Sequence, residues 1–264
     1  MAFQIRPAHY SDAPALLALA TSTSARGFLT LPNTEKELEE LLDDTEGHYL
    51  FVLEDEKKVI GSSLIVARHG TAQSPHLYLQ LDRTGQRLKL RSETRGRTEL
   101  GGLILDRSYR GHPEKLGKRL SYVRLFFIGK NPQLFCPDIL AELLPPFTPD
   151  GKSLFWEALG KKITGLDYQE ADEMSRRDKS FIRQFFPQGE INITSLPAEA
   201  QSVIGIPGPE TMAVTKILEA VGFQYLRQID PFDGGPHYGA KQSDIRYDLV
   251  EKFLLRDTEV TLNL

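Results

Sequence analysis

The chain has 264 residues, 40% of them hydrophobic, enough to build a buried core in one large domain or two modest ones. Its 32 Lys and Arg against 36 Asp and Glu leave a net charge of −4, which argues against a general binder of nucleic acid or of anionic membranes. Cys136 is the sole cysteine, which excludes an internal disulfide framework and a zinc site of paired cysteines and fits a reducing, cytoplasmic setting. MAFQIRPAHYSD lacks the apolar core of a signal peptide, and no later run is long enough to span a bilayer, so neither secretion nor membrane insertion is expected.

Phe3 to Arg6 reads as a first strand. Ser11 is a candidate N-cap and Pro14 suits a first turn, while Leu16, Leu19 and Ala20 mark the inner stripe of a helix that ends before Gly27. After a connector from Ser22 to Leu31, Thr34 and Glu37 form a capping box for a second helix carrying Leu38, Leu41 and Leu42. Tyr49 to Leu53 and Val59 to Val66 flank a charged EDEKK turn as an antiparallel hairpin. Leu77, Leu79 and Leu81 alternate, as do Leu88 and Leu90 across Thr84-Gly85, which predicts a second, more exposed hairpin.

Thr98 to Phe127 then passes from strand through a charged loop into helix. Leu100, Gly102 and Ile104 fall on one side of a period-two strand and Leu103 and Leu105 on the other, whereas Leu116, Leu120, Val123 and Phe127 recur at helical spacing. A helix beginning near Gly117 points free N–H groups and the positive end of its dipole at the loop, and Arg110, Lys115, Lys118 and Arg119 add full charge. That suits a pyrophosphate. A solvated basic surface loop is the other reading, and composition leaves both open.

Asp138 to Leu144 is a further strand, and SLFWEALG a helix capped by Ser153 and ended by Gly160. Helical patterns recur at Phe181 to Phe185, Pro197 to Ile204 and Pro209 to Val221, the last with Val214, Ile217, Leu218 and Val221 on one face. Gly222 closes that helix and Phe223 to Ile229 reads as a strand. Leu249 to Arg256 has a helical pattern, and Glu259 to Leu264 is either an edge strand or a frayed end. With no repeat, low-complexity segment or long linker, one α/β domain over residues 1–264 is expected.

The order β-α-α-β-β-β-α-β-α, opening with IRPAHYSDAPALLALA and continuing through FVLEDEKKVIGSSLI, resembles the GNAT acyl-CoA-dependent N-acyltransferase fold, in which helices flank a mixed, centrally splayed sheet. ELGGLILDRSYR, GKRLSYVRLFF, SLFWEALGKKITGLDYQEAD, EAQSVIG and ILEAVGFQYLRQIDPFDGGP are further similar to the arginine N-succinyltransferase family. The resemblance spans residues 3 to 246 and is lower from Arg68 to Thr98. It divides the chain into an N-terminal GNAT core at 1–144, a family-specific portion at 145–246 and a tail at 247–264.

The resemblance implies acyl-CoA, succinyl-CoA in the family, as a co-substrate, with no covalently bound cofactor. It implies the amine of arginine or a related amino acid as acceptor, and assembly with like or related chains. The N–H groups of Leu103, Ile104 and Leu105 are then expected at the acyl carbonyl and pantetheine, and Arg110 with the amides near Gly117, Lys118 and Arg119 at the pyrophosphate. Arg26, in the connector, is expected on an anionic group of the acceptor.

Several departures accompany the resemblance. A family insert before the central strand and a C-terminal β-rich segment are reduced or missing in this sequence, and the path from Arg110 to Gly117 is longer than in the family. The family's proton-donor histidine, before the proline of VIG-x-x-H-P, is replaced by Gly208 in Val203-Ile204-Gly205-Ile206-Pro207-Gly208-Pro209. The family's arginine after Ala-Glu-Met is replaced by Leu144.

Glu99 is a candidate general base, since a carboxylate among apolar neighbours is raised toward neutrality, against the alternative of a strand end in water. Glu142 is equally open, and His237 either approaches the vacated donor position or is an exposed loop residue. No spacing of His, Asp or Glu suggests a metal site, and no covalent nucleophile is indicated. Three functions stay in play: succinyl transfer to arginine, acyl transfer to another amine, and a non-catalytic acyl-CoA-binding or regulatory subunit.

Overall fold

The computed structural model describes residues 3–22, 31–32, 34–44, 46–177, 180–256 and 259–264. Its first half runs β1 (Phe3–Pro7), α1 (Ala13–Ser22), α2 (Glu35–Asp43), β2 (His48–Asp55), β3 (Lys58–His69), β4 (His76–Leu81), β5 (Arg87–Glu93), β6 (Arg97–Leu105), α3 (Leu116–Lys130) and β7 (Asp138–Glu142). The second half adds α4 (Leu154–Ala158), α5 (Gly160–Thr164), α6 (Tyr168–Arg177), α7 (Ser180–Phe185), β8 (Glu190–Asn192), α8 (Ala198–Gln201), α9 (Met212–Glu219), β9 (Gln224–Ile229), β10 (Pro236–Lys241), α10 (Tyr247–Leu254) and β11 (Val260–Leu262).

The described strands form one mixed sheet in the order β11-β1-β2-β3-β6-β7-β10-β9-β4-β5-β8, parallel at β11/β1 and β6/β7 and antiparallel elsewhere. Its left half is covered on both faces. Leu50 and Val52 of β2 pack with Leu16 and Leu38 of α1 and α2, while Phe51 and Leu53 turn to the opposite core with Leu120 and Val123 of α3. Two buried faces explain why β2 reads as a continuous apolar run rather than an alternation. A third cluster, centred on Trp156, Phe232, Leu79 and Leu88, lies under the right half.

Several local expectations hold for plain reasons. The Thr34 hydroxyl accepts from the Glu37 N–H at 3.3 Å, and that of Ser153 from the Trp156 N–H at 3.0 Å, as N-caps do. Other expectations are corrected. Ser11 lies within a 3-10 turn at Tyr10–Asp12, and Gly160 begins α5 instead of closing the region. Helix α8 covers only four residues of the expected Pro197 to Ile204 span, and α9 starts at Met212. The second hairpin is not an exposed flap: Leu77, Leu79 and Leu88 are buried, because β4 joins β9 and is roofed by the Trp156 cluster.

Candidate active site

Strands β6 and β7 pair in parallel only at Thr98 with Ile139 and Glu99 with Leu140. Beyond these residues they part, and a cavity of about 490 Å³ opens between Leu100–Leu105 on one side and Ala141–Leu144 on the other. Gly102 helps bend β6 away. Its φ of +55° is left-handed, an added Cβ would sit 2.9 Å from the Leu64 Cβ, and the β3/β6 register shifts between Ser62 and Leu64. Leu103, Ile104 and Leu105 therefore line the cavity along an edge of β6 that β7 has left.

The loop between β6 and α3 places the expected basic residues unequally. Arg110 lines the cavity, with Nη1 donating to Glu210 Oε2 at 2.9 Å, and Arg107 reaches the other Glu210 oxygen at 3.7 Å. The Lys118 and Arg119 N–H groups both return to the Lys115 carbonyl, which leaves those of Leu116 and Gly117 as the first-turn donors without an intrahelical acceptor. Lys118 Nζ lies 4.9 Å from the Tyr122 ring and 4.4 Å from the Phe253 ring, and burial followed by Arg256 lowers its pKa.

Arg119 does not fit the expectation of a side-chain contact to phosphate. Its guanidinium is fully buried, donating to the Glu114 and Leu254 carbonyls at 3.0 and 3.3 Å and pairing with the Glu114 carboxylate at 3.3 Å. It ties the loop to α10. Arg124, which sequence reasoning passed over, lies on the cavity wall instead. A cation one residue after Val123 and four after Leu120 stands on the apolar side of the helix, and that was the available signal. Arg26 lies outside the described residues.

Beside the cavity, where β6 and β7 pair, the strands assemble a largely buried polar cluster. His69 closes β3, His76 opens β4, Glu99 is on β6, and Glu142 on β7 is the cross-strand partner of His237 on β10. Glu99 is 5% and His237 0% exposed, so neither the strand end in water nor the exposed loop histidine describes them. His69 Nδ1 lies 3.0 Å from Glu99 Oε2, His76 Nε2 lies 3.0 Å from Glu142 Oε1, and His237 Nε2 lies 3.9 Å from Glu142 Oε2.

Burial opposes ionisation of Glu142, but the surrounding His237, His76 and His69 rings outweigh it and hold the carboxyl well below the usual range. Burial drives His237 down to about 3, against the opposing pull of the Glu142 charge. Although the sequence spacing suggests no metal set, the fold gathers two groups with metal-ligand chemistry: His69, His76 and Glu142, and Glu142, Asp230 and His237.

The family model described as Arginine N-succinyltransferase beta subunit matches residues 3–247. The chain belongs to the arginine N-succinyltransferase family. The arginine N-succinyltransferase of Yersinia pestis is 32% identical over 268 residues, covering 92% of this chain and 76% of that protein. The arginine N-succinyltransferase subunit beta of Pseudomonas aeruginosa is also 32% identical, over 266 residues, with 92% and 77% covered. The solved arginine/ornithine succinyltransferase subunit AI from Pseudomonas aeruginosa superposes with a TM-score of 0.79 at 26% identity, over 93% of this chain and 78% of that one. The GNAT-like mixed α/β fold expected from the sequence is the fold observed, and the chain is an acyltransferase of this family.

Against that family, Gly208 has a structural reason to be glycine. Its N–H donates to the Leu144 carbonyl at 2.8 Å, and an added Cβ would lie 2.5 Å from the Pro145 carbonyl oxygen. The segment packs onto the backbone just after β7, at Leu144 and Pro145.

Among the described residues, no helix is long and apolar enough to cross a membrane.

Proposed function

We propose that this family member transfers a succinyl group from CoA to the amine of arginine or a related amino acid. Arg124 carries the reading. It is 1% exposed on the cavity wall, with Nη1 donating to the Gly101 carbonyl at 3.0 Å, Nη2 to Ser121 Oγ at 3.2 Å and Nε to the Ser121 carbonyl at 3.4 Å. No carboxylate pairs with it among the described residues, and burial alone pulls its pKa down to about 9, which keeps it cationic at neutral pH. A buried cation without an anion is costly. Two of its five N–H donors remain after these bonds, and an acyl group ending in a carboxylate supplies the acceptor that an acetyl group lacks.

The rest of the donor follows from the same cavity. The pyrophosphate lies over the first turn of α3, with Arg110 exchanging Glu210 for phosphate, and the pantetheine runs along Leu103 to Leu105. The N–H groups of that stretch polarise the thioester carbonyl. The names of the relatives point to arginine as acceptor, and their description as subunits supports assembly with a like or related chain.

Thiol release from succinyl-, butyryl- and acetyl-CoA against a panel of amino acids tests the proposal. Succinyl-CoA is expected to be preferred, and Arg124→Met to lower kcat/KM for it about 10–100-fold, the equivalent of about 1.5–3 kcal/mol for a charged hydrogen bond. Butyryl-CoA should change little, and Arg124→Lys should retain part of the preference. Equal losses on both donors would make Arg124 a brace for Gly101 and remove the support for succinyl. Gly208 favours a second reading, a non-catalytic acyl-CoA-binding subunit. Calorimetric CoA binding without thiol release for any amine would decide for it.

A further inference from the structure

We propose that the buried cluster beside the cavity binds one divalent transition-metal ion, with His69, His76 and Glu142 as its protein ligands. The proposal does not depend on acyl transfer. One ligand atom from each of the three residues lies within 4.8 Å of the others. His76 Nε2 stands 3.0 Å and His69 Nε2 4.0 Å from the same oxygen, Glu142 Oε1. Ligand atoms around a tetrahedral zinc with bonds of about 2.0–2.1 Å are spaced about 3.3 Å apart, so an ion fits between these three with small side-chain shifts. Two imidazoles and a carboxylate are a zinc donor set, and the borderline-soft nitrogen donors argue against calcium or magnesium.

Independent features of the site point the same way. His76 is 2% and His237 0% exposed, and neither ring nitrogen of either histidine, nor Glu142 Oε1, has a hydrogen-bond partner among the described residues. Both rings are aimed into the cluster, stacked with centroids 5.3 Å apart. Burying such groups is unfavourable unless something in the cluster coordinates or orders them. His69 is held at Nδ1 by the Glu99 carboxylate, which directs Nε2 inward, the arrangement by which a carboxylate orients a metal-ligating histidine.

In the second group, Glu142 with His237 and Asp230, His237 Nε2 lies 3.9 Å from the other carboxylate oxygen, Glu142 Oε2. The opposing charge in the neighbourhood is Arg97, which lies over the Tyr78 ring and donates to Gln228. Glu142 lines the cavity with its side chain 28% exposed, so an ion can reach this carboxylate from the cavity.

The test loads the full chain, stripped with chelator, with Zn2+ and separately with Co2+, followed by gel filtration, elemental mass spectrometry and visible spectroscopy. The expected result is roughly one Zn2+ per chain and the intense visible bands of low-coordinate Co2+. Glu99→Gln should weaken Zn2+ binding about 10–100-fold through the released His69 ring, and His76→Ala and Glu142→Gln at least as much. Circular dichroism separates ligand loss from misfolding, and if these variants fail to fold, titration of the unaltered chain decides alone. No saturable Zn2+ binding, a six-coordinate Co2+ spectrum, or equal metal content in folded Glu142→Gln would overturn the proposal.

Discussion

Trp156→Ala is expected to lower the unfolding free energy by about 3–5 kcal/mol, the range for losing a large buried aromatic side chain. Trp156 is fully buried at the centre of the cluster under β4, β5 and β9, stacked on Phe232 with centroids 5.3 Å apart, and its Nε1 donates to the Leu166 carbonyl at 3.0 Å. Truncation removes the stack, leaves that carbonyl without its donor and opens a cavity that the surrounding strands can only partly fill. The damage should reach the site. Phe232 belongs to the turn from Asp230 to Gly235, where the Asp230 carboxylate accepts from the Phe232 and Asp233 N–H groups before the chain enters β10 and His237. Urea unfolding followed by circular dichroism measures the effect. A loss below about 1 kcal/mol would show that the cluster collapses around the gap, contrary to its tight packing.

Gly208→His, which places an imidazole where the resemblance expects a proton donor, is expected to destabilise the protein and to bring no gain in acyl transfer. The new Cβ would meet the Pro145 carbonyl oxygen at 2.5 Å and its carbon at 2.8 Å, with the Leu144 oxygen at 3.2 Å. These are backbone atoms, which cannot swing aside as a side-chain tip does. Overpacking of this kind costs about 1–3 kcal/mol and on occasion more. Here the cost falls on the cavity wall, because Gly208, Leu144 and Pro145 all line it. Thermal denaturation alongside thiol release checks both halves, and Gly208→Ala should show the same instability without the imidazole. A Gly208→His protein as stable as the parent and faster in turnover would mean that this segment lifts off Pro145 and that only the missing proton donor limits the reaction.

Local chemistry was legible in the sequence wherever it repeats at short range. The β2/β3 hairpin, the caps at Thr34 and Ser153 and the passage from β6 into α3 all follow from alternation, helical spacing or a single polar side chain. Quoted motifs likewise carried the family, and with it the parted strands. Strand β10 was missed because Pro236 and Gly239 interrupt any alternation and both its faces are buried, so PHYGAK resembles a loop. Helix α6 and the short β8 were missed too, one strongly polar and the other only three residues long.

The site belongs to the tertiary structure. His69, His76, Glu99, Glu142 and His237 come from five strands and meet only because the order β3-β6-β7-β10-β9-β4 brings distant segments side by side. No spacing in the chain encodes that. Arg119 and Arg124 make the same point on one helix, since local charge and dipole arguments favoured the residue nearer the N-terminus. Packing decided otherwise. The Leu254 carbonyl and Phe253 ring of α10 cover Arg119, while the parting of β6 from β7 leaves Arg124 on the cavity wall, and neither contact is contained in the segment that carries both arginines.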